Sequence, residues 1–337
     1  MRILHVCAHH WFEFGRKPHT QDRRISSGLT RLGHFVYDFS YRDIASYHSL
    51  FRKRKRGRSK MNASLLTAIE RLEPDLLLLG HSELIDEPTL AFIRRRYPQT
   101  RLAMWYVDAL YKAPGFEDKL QHLDAFFATG AGEPLEQLRA KTSGVVHFMP
   151  NMCDPGLDSF RADENPAPRY DLTFIGSSAG GQRLNLTSIL TRELEGLELG
   201  FFGLTKGSKK LDLNYLQLIG DSAMGLNYSR HNDQPLYTSD RQIHLAANGA
   251  MVLMPEVPDF RWLFSDEELV YFTDIPDLVE KARHYAHSPD ERRAIARRGR
   301  LRAHDSYNAT RVCRFMLEAI NHEPFSEPYE WVNPAAD

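Results

Sequence analysis

Tyr237-Thr-Ser-Asp-Arg-Gln-Ile-His-Leu-Ala-Ala-Asn-Gly249, followed at once by Ala250-Met-Val-Leu-Met-Pro255, reads as a helix docking on a buried strand. Ser239 or Asp240 is placed to cap the first turn. Ile243, Ala246 and Ala247 fall on one small, tight face, and Gly249 can stop the helix because glycine tolerates positive φ. Arg241 and His244 project near the amino-terminal end, where free backbone N–H groups and the helix dipole favour an anion such as phosphate. The plainer alternative is a surface ion pair for Arg241 and a packed wall position for His244.

Outward from this stretch, strands and helices alternate. Before it come a strand at Asp171-Leu-Thr-Phe-Ile175, a turn at Gly176-Ser-Ser-Ala-Gly-Gly181 and a helix from Gln182 to Arg192 that carries Arg183 near its start. Further strands are expected at Leu199–Phe202, Met224–Asn227 and Leu269–Phe272, with helices at Ile275–His287, Pro289–Ser306 and Asn308–Asn321. The first half repeats the pattern with strands at Met1–Cys7, His34–Phe39, Leu76–Leu79, Arg101–Val107, Ala125–Ala128 and Val145–Met149. The helices between them are expected over Asp22–Leu32, from Asn62 onward, and from Asp86 to Tyr97. Between Pro150 and Arg169 the composition shifts to Asp, Pro, Asn and Ala, as in a linker. Two doubly wound α/β domains facing across a cleft are therefore predicted, and the first βαβ unit lacks the G-x-G-x-x-G fingerprint of NAD or FAD sites.

A chain of 337 residues exceeds what one core usually serves. Its 43 Lys and Arg balance 44 Asp and Glu, so there is no global field for nucleic acid and any basic partner site must be local. The three cysteines, Cys7, Cys153 and Cys313, are odd in number and far apart, which points to a reducing compartment rather than a disulfide framework. With no stretch read as a secretion signal or a membrane span, a cytoplasmic protein is expected.

Laid out in this order, the chain resembles the GT-B glycosyltransferases, in particular the branch of spore-maturation-protein-like and glycosyltransferase family 1-like proteins. The resemblance is carried by Met1-Arg-Ile-Leu, Gly28-Leu-Thr-Arg-Leu-Gly-His34, Pro74-Asp75, Trp105-Tyr-Val-Asp108, Met149-Pro-Asn-Met-Cys-Asp-Pro155 and Asp171 to Ser177. In the second half it is carried by Ser239 to Gly249, Ser288-Pro-Asp-Glu-Arg292 and His304-Asp-Ser-Tyr307. It implies a nucleotide-sugar-binding second domain, with Gly176, Ser177, Arg183, Asn227, Ser239, Arg241 and His244 at the donor. Relatives usually carry a ribose-associated Glu where this chain has His244, and the Glu-rich donor motif of the retaining branch is not found.

His9, His10, His81 and Asp108 follow strands and so share the rim formed by the strands' carboxyl ends. Asp108 is the candidate base for an acceptor hydroxyl, with His10 second. A turn or cap aspartate and a loop histidine are the bland readings. His5, His9 and His10 lack a spaced carboxylate or cysteine that would complete a metal set, and no Asp-x-Asp pair occurs, so neither metal nor cofactor is expected. The run Arg52, Lys53, Arg54, Lys55 and Arg56, continuing to Arg58 and Lys60, is either a solvated loop or an acceptor-side contact with anionic lipid or phosphorylated glycan.

The expected division is residues 1–152 on the acceptor side, 153–318 on the donor side, and a tail over 319–337 returning to the first domain. The expected activity is metal-independent transfer from a UDP- or GDP-sugar to a saccharide or other cell-envelope hydroxyl. Partners would be the donor, a saccharide or lipid-linked acceptor and the inner membrane face, with no nucleic acid. A nucleotide-sugar epimerase and a non-catalytic sugar-binding protein are the rivals.

Overall fold

The computed structural model describes residues 1–15, 17–110, 117–178, 181–204 and 214–332, and these fall into two units. In the first, β1 (Arg2–Cys7), β2 (Phe35–Ser40), β3 (Leu76–Gly80), β4 (Arg101–Tyr106), β5 (Ala125–Ala128) and β6 (Val145–Phe148) form one sheet in the order β2-β1-β3-β4-β5-β6. Every pairing is parallel. Leu76–Leu79 make β3 a central strand because helices cover both faces of such a sheet, and all four leucines are fully buried. Each contributes about 1.5–3 kcal/mol of burial. The second sheet is also parallel, in the order β11-β10-β9-β7-β8, with β7 (Tyr170–Ile175), β8 (Leu199–Phe202), β9 (Ser222–Leu226), β10 (Met251–Pro255) and β11 (Val270–Phe272).

The first unit comprises Met1–Gly15, Thr20–Pro150 and Ala309–Asp337, and the second comprises Asn151–Asn308 with the segment that includes His19. The boundary expected at residue 318 is thus displaced. The helix Ala309–Asn321 packs on the helix Gln21–Arg31, where Gly28 lets the two backbones approach: a Cβ there would lie 2.7 Å from the Ala309 carbonyl carbon and 2.8 Å from Cys313 Sγ. Periodicity marks this helix as amphipathic but not which core receives it.

The expected linker over 150–169 is instead built into the second unit from Asn151 to Asp163. Asp158 accepts from the Asp154 N–H and from Asn248, and Asp163 is buried in an ion pair with Arg300. Its polar residues satisfy buried backbone and charge, a role composition does not distinguish from solvation.

The helix expected to start at Asn62 begins earlier and spans Arg54–Leu72. Asn62 caps nothing; its amide donates to the Arg58 and Leu84 carbonyls and to Asp86. The basic run is accordingly helical from Arg54, and Gly57 lies tight against the backbone of Ala45.

Candidate functional site

At the carboxyl end of β7 the backbone turns at Gly176, and two guanidinium groups converge there. Arg241 Nε donates to the Ile175 carbonyl at 2.6 Å and its Nη1 to Asn227 Oδ1 at 3.3 Å and the Tyr228 carbonyl at 3.5 Å. Arg183 Nε donates to the same Tyr228 carbonyl at 3.0 Å and its Nη1 to the Ser177 carbonyl at 3.1 Å. Both guanidiniums sit over the Phe174 ring, 4.7 Å away for Arg241 and 5.5 Å for Arg183. Gly176 makes the room: a Cβ there would stand 2.7 Å from Arg241 Nη2.

Both side chains are buried, and among the described residues neither forms an ion pair with a carboxylate, although Asp240 acts on Arg241 at longer range. Their bonded protons go to neutral oxygens, and Nη2 of each makes no hydrogen bond to a described residue. Taking a cation out of water without a counter-charge costs several kcal/mol. Burial first, and Arg241 second, push the Arg183 guanidinium down to about 10, and burial lowers Arg241 as well. An anion on the two leftover Nη2 groups would offset this cost through charge-assisted bonds.

The other expected donor residues build the walls. Asn227, just past β9, donates to Thr238 Oγ1 and accepts from Ser239 Oγ at 2.9 Å, so its carbonyl oxygen is fixed to receive Arg241. Ser239 therefore does not cap the helix; Asp240 holds the N-cap position without a side-chain capping bond. The helix spans only Arg241–Ala247, ended by Gly249 at φ 81°, so His244 lies in its last turn rather than beside the amino terminus. There its Nδ1 meets the Tyr215 hydroxyl at 2.9 Å, and the His19 ring lies 4.5 Å from Tyr215 and 5.9 Å from His244. Ser177 is exposed, and the turn residues 179 and 180 lie outside the described residues. Sequence reading missed Phe174, Tyr215 and His19. Phe174 looks like any core residue of a strand, and His19 and Tyr215 meet only through tertiary structure.

In the first unit, the parallel sheet brings the residues after β1, β3 and β4 to one edge. Asp108 is 67% exposed at its side chain and stands 3.9 Å from His81 Nδ1. Burial pushes the His81 imidazole below its ordinary value, with Asp108 acting in the opposite direction. His81 and the following Ser82 both adopt positive φ, a strained conformation outside glycine. His10 also adopts positive φ, and its Nδ1 lies 3.4 Å from Glu13.

Beneath this edge His5 is locked. The Trp105 indole N–H donates to His5 Nε2 at 3.1 Å, so the His5 proton resides on Nδ1 and is directed to Ser26 Oγ at 2.8 Å, which in turn donates to Asp38 at 2.7 Å. Burial, His9 and Arg23 hold His5 well below its usual range, in keeping with this neutral form. The possible ligand atoms of His5, Cys7 and His9 all lie within 4.8 Å of one another, but a protonated Nδ1 is no ligand, so this set does not fit a metal while Trp105 holds its bond. The three cysteines are buried and form no disulfide with one another. Among the described residues no helix is long and apolar enough to cross a membrane.

Residues 186–318 match the family model described as Glycosyl transferase-like. No curated protein matches the chain. Among solved structures it is similar to sucrose-phosphate synthase from Thermosynechococcus elongatus, with a TM-score of 0.63 and 13% identity over 96% of this chain and 99% of that one. It is also similar to Anabaena HepE in complex with UDP, with a TM-score of 0.58 and 12% identity over 96% and 100%. T4 phage β-glucosyltransferase in complex with its UDP-glucose substrate gives a TM-score of 0.56 and 12% identity over 95% and 100%. These likenesses show the fold, two Rossmann-like parallel-sheet domains of the GT-B type.

Proposed function

We propose that this protein is a glycosyltransferase that takes a sugar from a UDP- or GDP-sugar and passes it to a hydroxyl of a saccharide or other cell-envelope acceptor. The observation that carries this reading is the pair of buried guanidiniums, Arg183 and Arg241, without an ion pair to a carboxylate among the described residues. A diphosphate supplies the missing charge, and the pair then stabilises the negative charge that builds on the leaving nucleotide as the glycosidic bond breaks. Arginines in this role do what a divalent cation does at other diphosphates, so the proposal is of a metal-independent reaction. The UDP and UDP-glucose bound by structural neighbours support uridine donors as the first to test. Asp108 takes the proton of the attacking hydroxyl, which gives inversion at the anomeric carbon, and His10 is the next candidate base.

The test is calorimetric titration of UDP and GDP into the wild type and into Arg241→Ala and Arg183→Ala. Each substitution should weaken binding of the preferred nucleotide at least tenfold while circular dichroism stays unchanged. Wild-type affinity in both folded variants would remove the arginine pair from the donor site and with it the basis of the proposal.

A further inference from the structure

The helices Tyr41–Tyr47 and Arg54–Leu72 are joined by a turn that exposes apolar side chains. Tyr47 is 76% exposed, Leu50 84% and Phe51 73%. The turn is not loose. Ser49, itself buried, accepts the Phe51 and Arg52 N–H groups on its carbonyl at 3.1 and 3.0 Å and the Lys53 N–H on its hydroxyl at 3.1 Å, which holds Leu50 and Phe51 outward. Arg52 folds over the ring of Phe12 at 5.8 Å, so the exposed Phe12 adjoins the same face. Trp11, next to Phe12 in the chain, lines a hollow of about 500 Å³ with Tyr37, Phe39, Ile44 and Leu72 and with the polar Ser64, Thr67 and Arg71.

The charge at this turn is as unusual as its apolarity. Arg52, Lys53, Arg54, Lys55 and Arg56 are all exposed, and among the described residues none has a carboxylate partner. Arg54–Arg56 occupy the first turn of the second helix, and that turn has no acidic residue, so three cations face the positive end of the helix dipole. That arrangement disfavours the helix unless an external anionic surface offsets it.

We propose that this turn docks the first unit on an anionic lipid surface, with Leu50 and Phe51 entering the boundary between headgroups and acyl chains and Arg52–Arg56 bound to lipid phosphates. A soluble anion would neutralise the basic run but would leave the adjoining leucine and aromatic rings in water; a bilayer interface satisfies both. The proposal rests on this surface alone and is independent of the donor reading.

The experiment is co-sedimentation of the full chain with vesicles of phosphatidylcholine, alone or with phosphatidylglycerol. The wild type should bind only the anionic vesicles, more weakly as salt rises. A variant with Arg52, Lys53, Arg54, Lys55 and Arg56 changed to Gln should lose at least about tenfold in partitioning. Leu50→Ser with Phe51→Ser should lose a comparable factor while keeping its salt dependence. Circular dichroism of the same variants checks that the fold survives, and calorimetry with UDP reads the donor site separately. The proposal is overturned if the wild type ignores anionic vesicles, or if either folded variant partitions as the wild type does.

Discussion

Gly176 and Arg241 illustrate how single residues set this site. Because no positive φ is required at Gly176, alanine there is tolerated by the backbone, yet its Cβ would push Arg241 Nη2 aside. Gly176→Ala should therefore keep the thermal midpoint near the wild-type value and lower UDP affinity about tenfold or more by calorimetry. Asp108 is tested by Asp108→Asn, which keeps the shape and removes the base. Turnover should fall by about a hundred to ten thousandfold with donor affinity nearly unchanged, and wild-type turnover would sink the assignment. Lys119 offers a pH test. Burial, then Arg58, push its ammonium down to about 8, below its value in the unfolded chain. Above that pH the unfolded chain holds the extra proton, so this residue makes stability rise from pH 8 toward the ordinary lysine range. In denaturant titrations over that window, Lys119→Met should show a shallower rise than the wild type; an identical slope would refute the shift. Arg241 and Arg183 were legible as basic residues beside a glycine turn and a helix start, whereas their shared Phe174 face was not.

At the scale of elements, most strands were readable because a strand covered on both faces must be a continuous apolar run, as in Leu76–Leu79 and Met251–Met254. Helix starts were less so. Asn62 has the residue type of a cap, but its amide is spent on the Leu84 carbonyl and Asp86, contacts that only the folded chain supplies. The helix Ala309–Asn321 makes a prediction of its own. Since Gly28 gives it room on Gln21–Arg31, Gly28→Val should cost about 1–3 kcal/mol through overpacking and lower the thermal midpoint, with UDP affinity preserved because the contact lies within the first unit. An unchanged midpoint would mean the helix is not held there.

For the whole molecule, saturating UDP should protect backbone amides selectively in hydrogen exchange, at residues 171–178, 181–183 and 227–244, with stabilisation of about 2.7 kcal/mol at a hundred times the Kd. Protection confined to the first unit would contradict the donor assignment. What the sequence by itself determined was the pair of parallel α/β sheets, since the period of apolar residues and the glycine and proline breaks are local properties that any fold of this chain must respect. It also placed Asp108 and His10 after strands and Arg183 and Arg241 at helix starts, and so at the sheets' carboxyl edges. Only the tertiary structure decided that residues 309–321 return to the first unit, that residues 151–163 are built into the second, and that Arg183 and Arg241 share one aromatic face without an ion pair to a described carboxylate. Those facts depend on which surfaces meet across long stretches of chain, and charge compensation is a sum over such neighbours that no local pattern encodes.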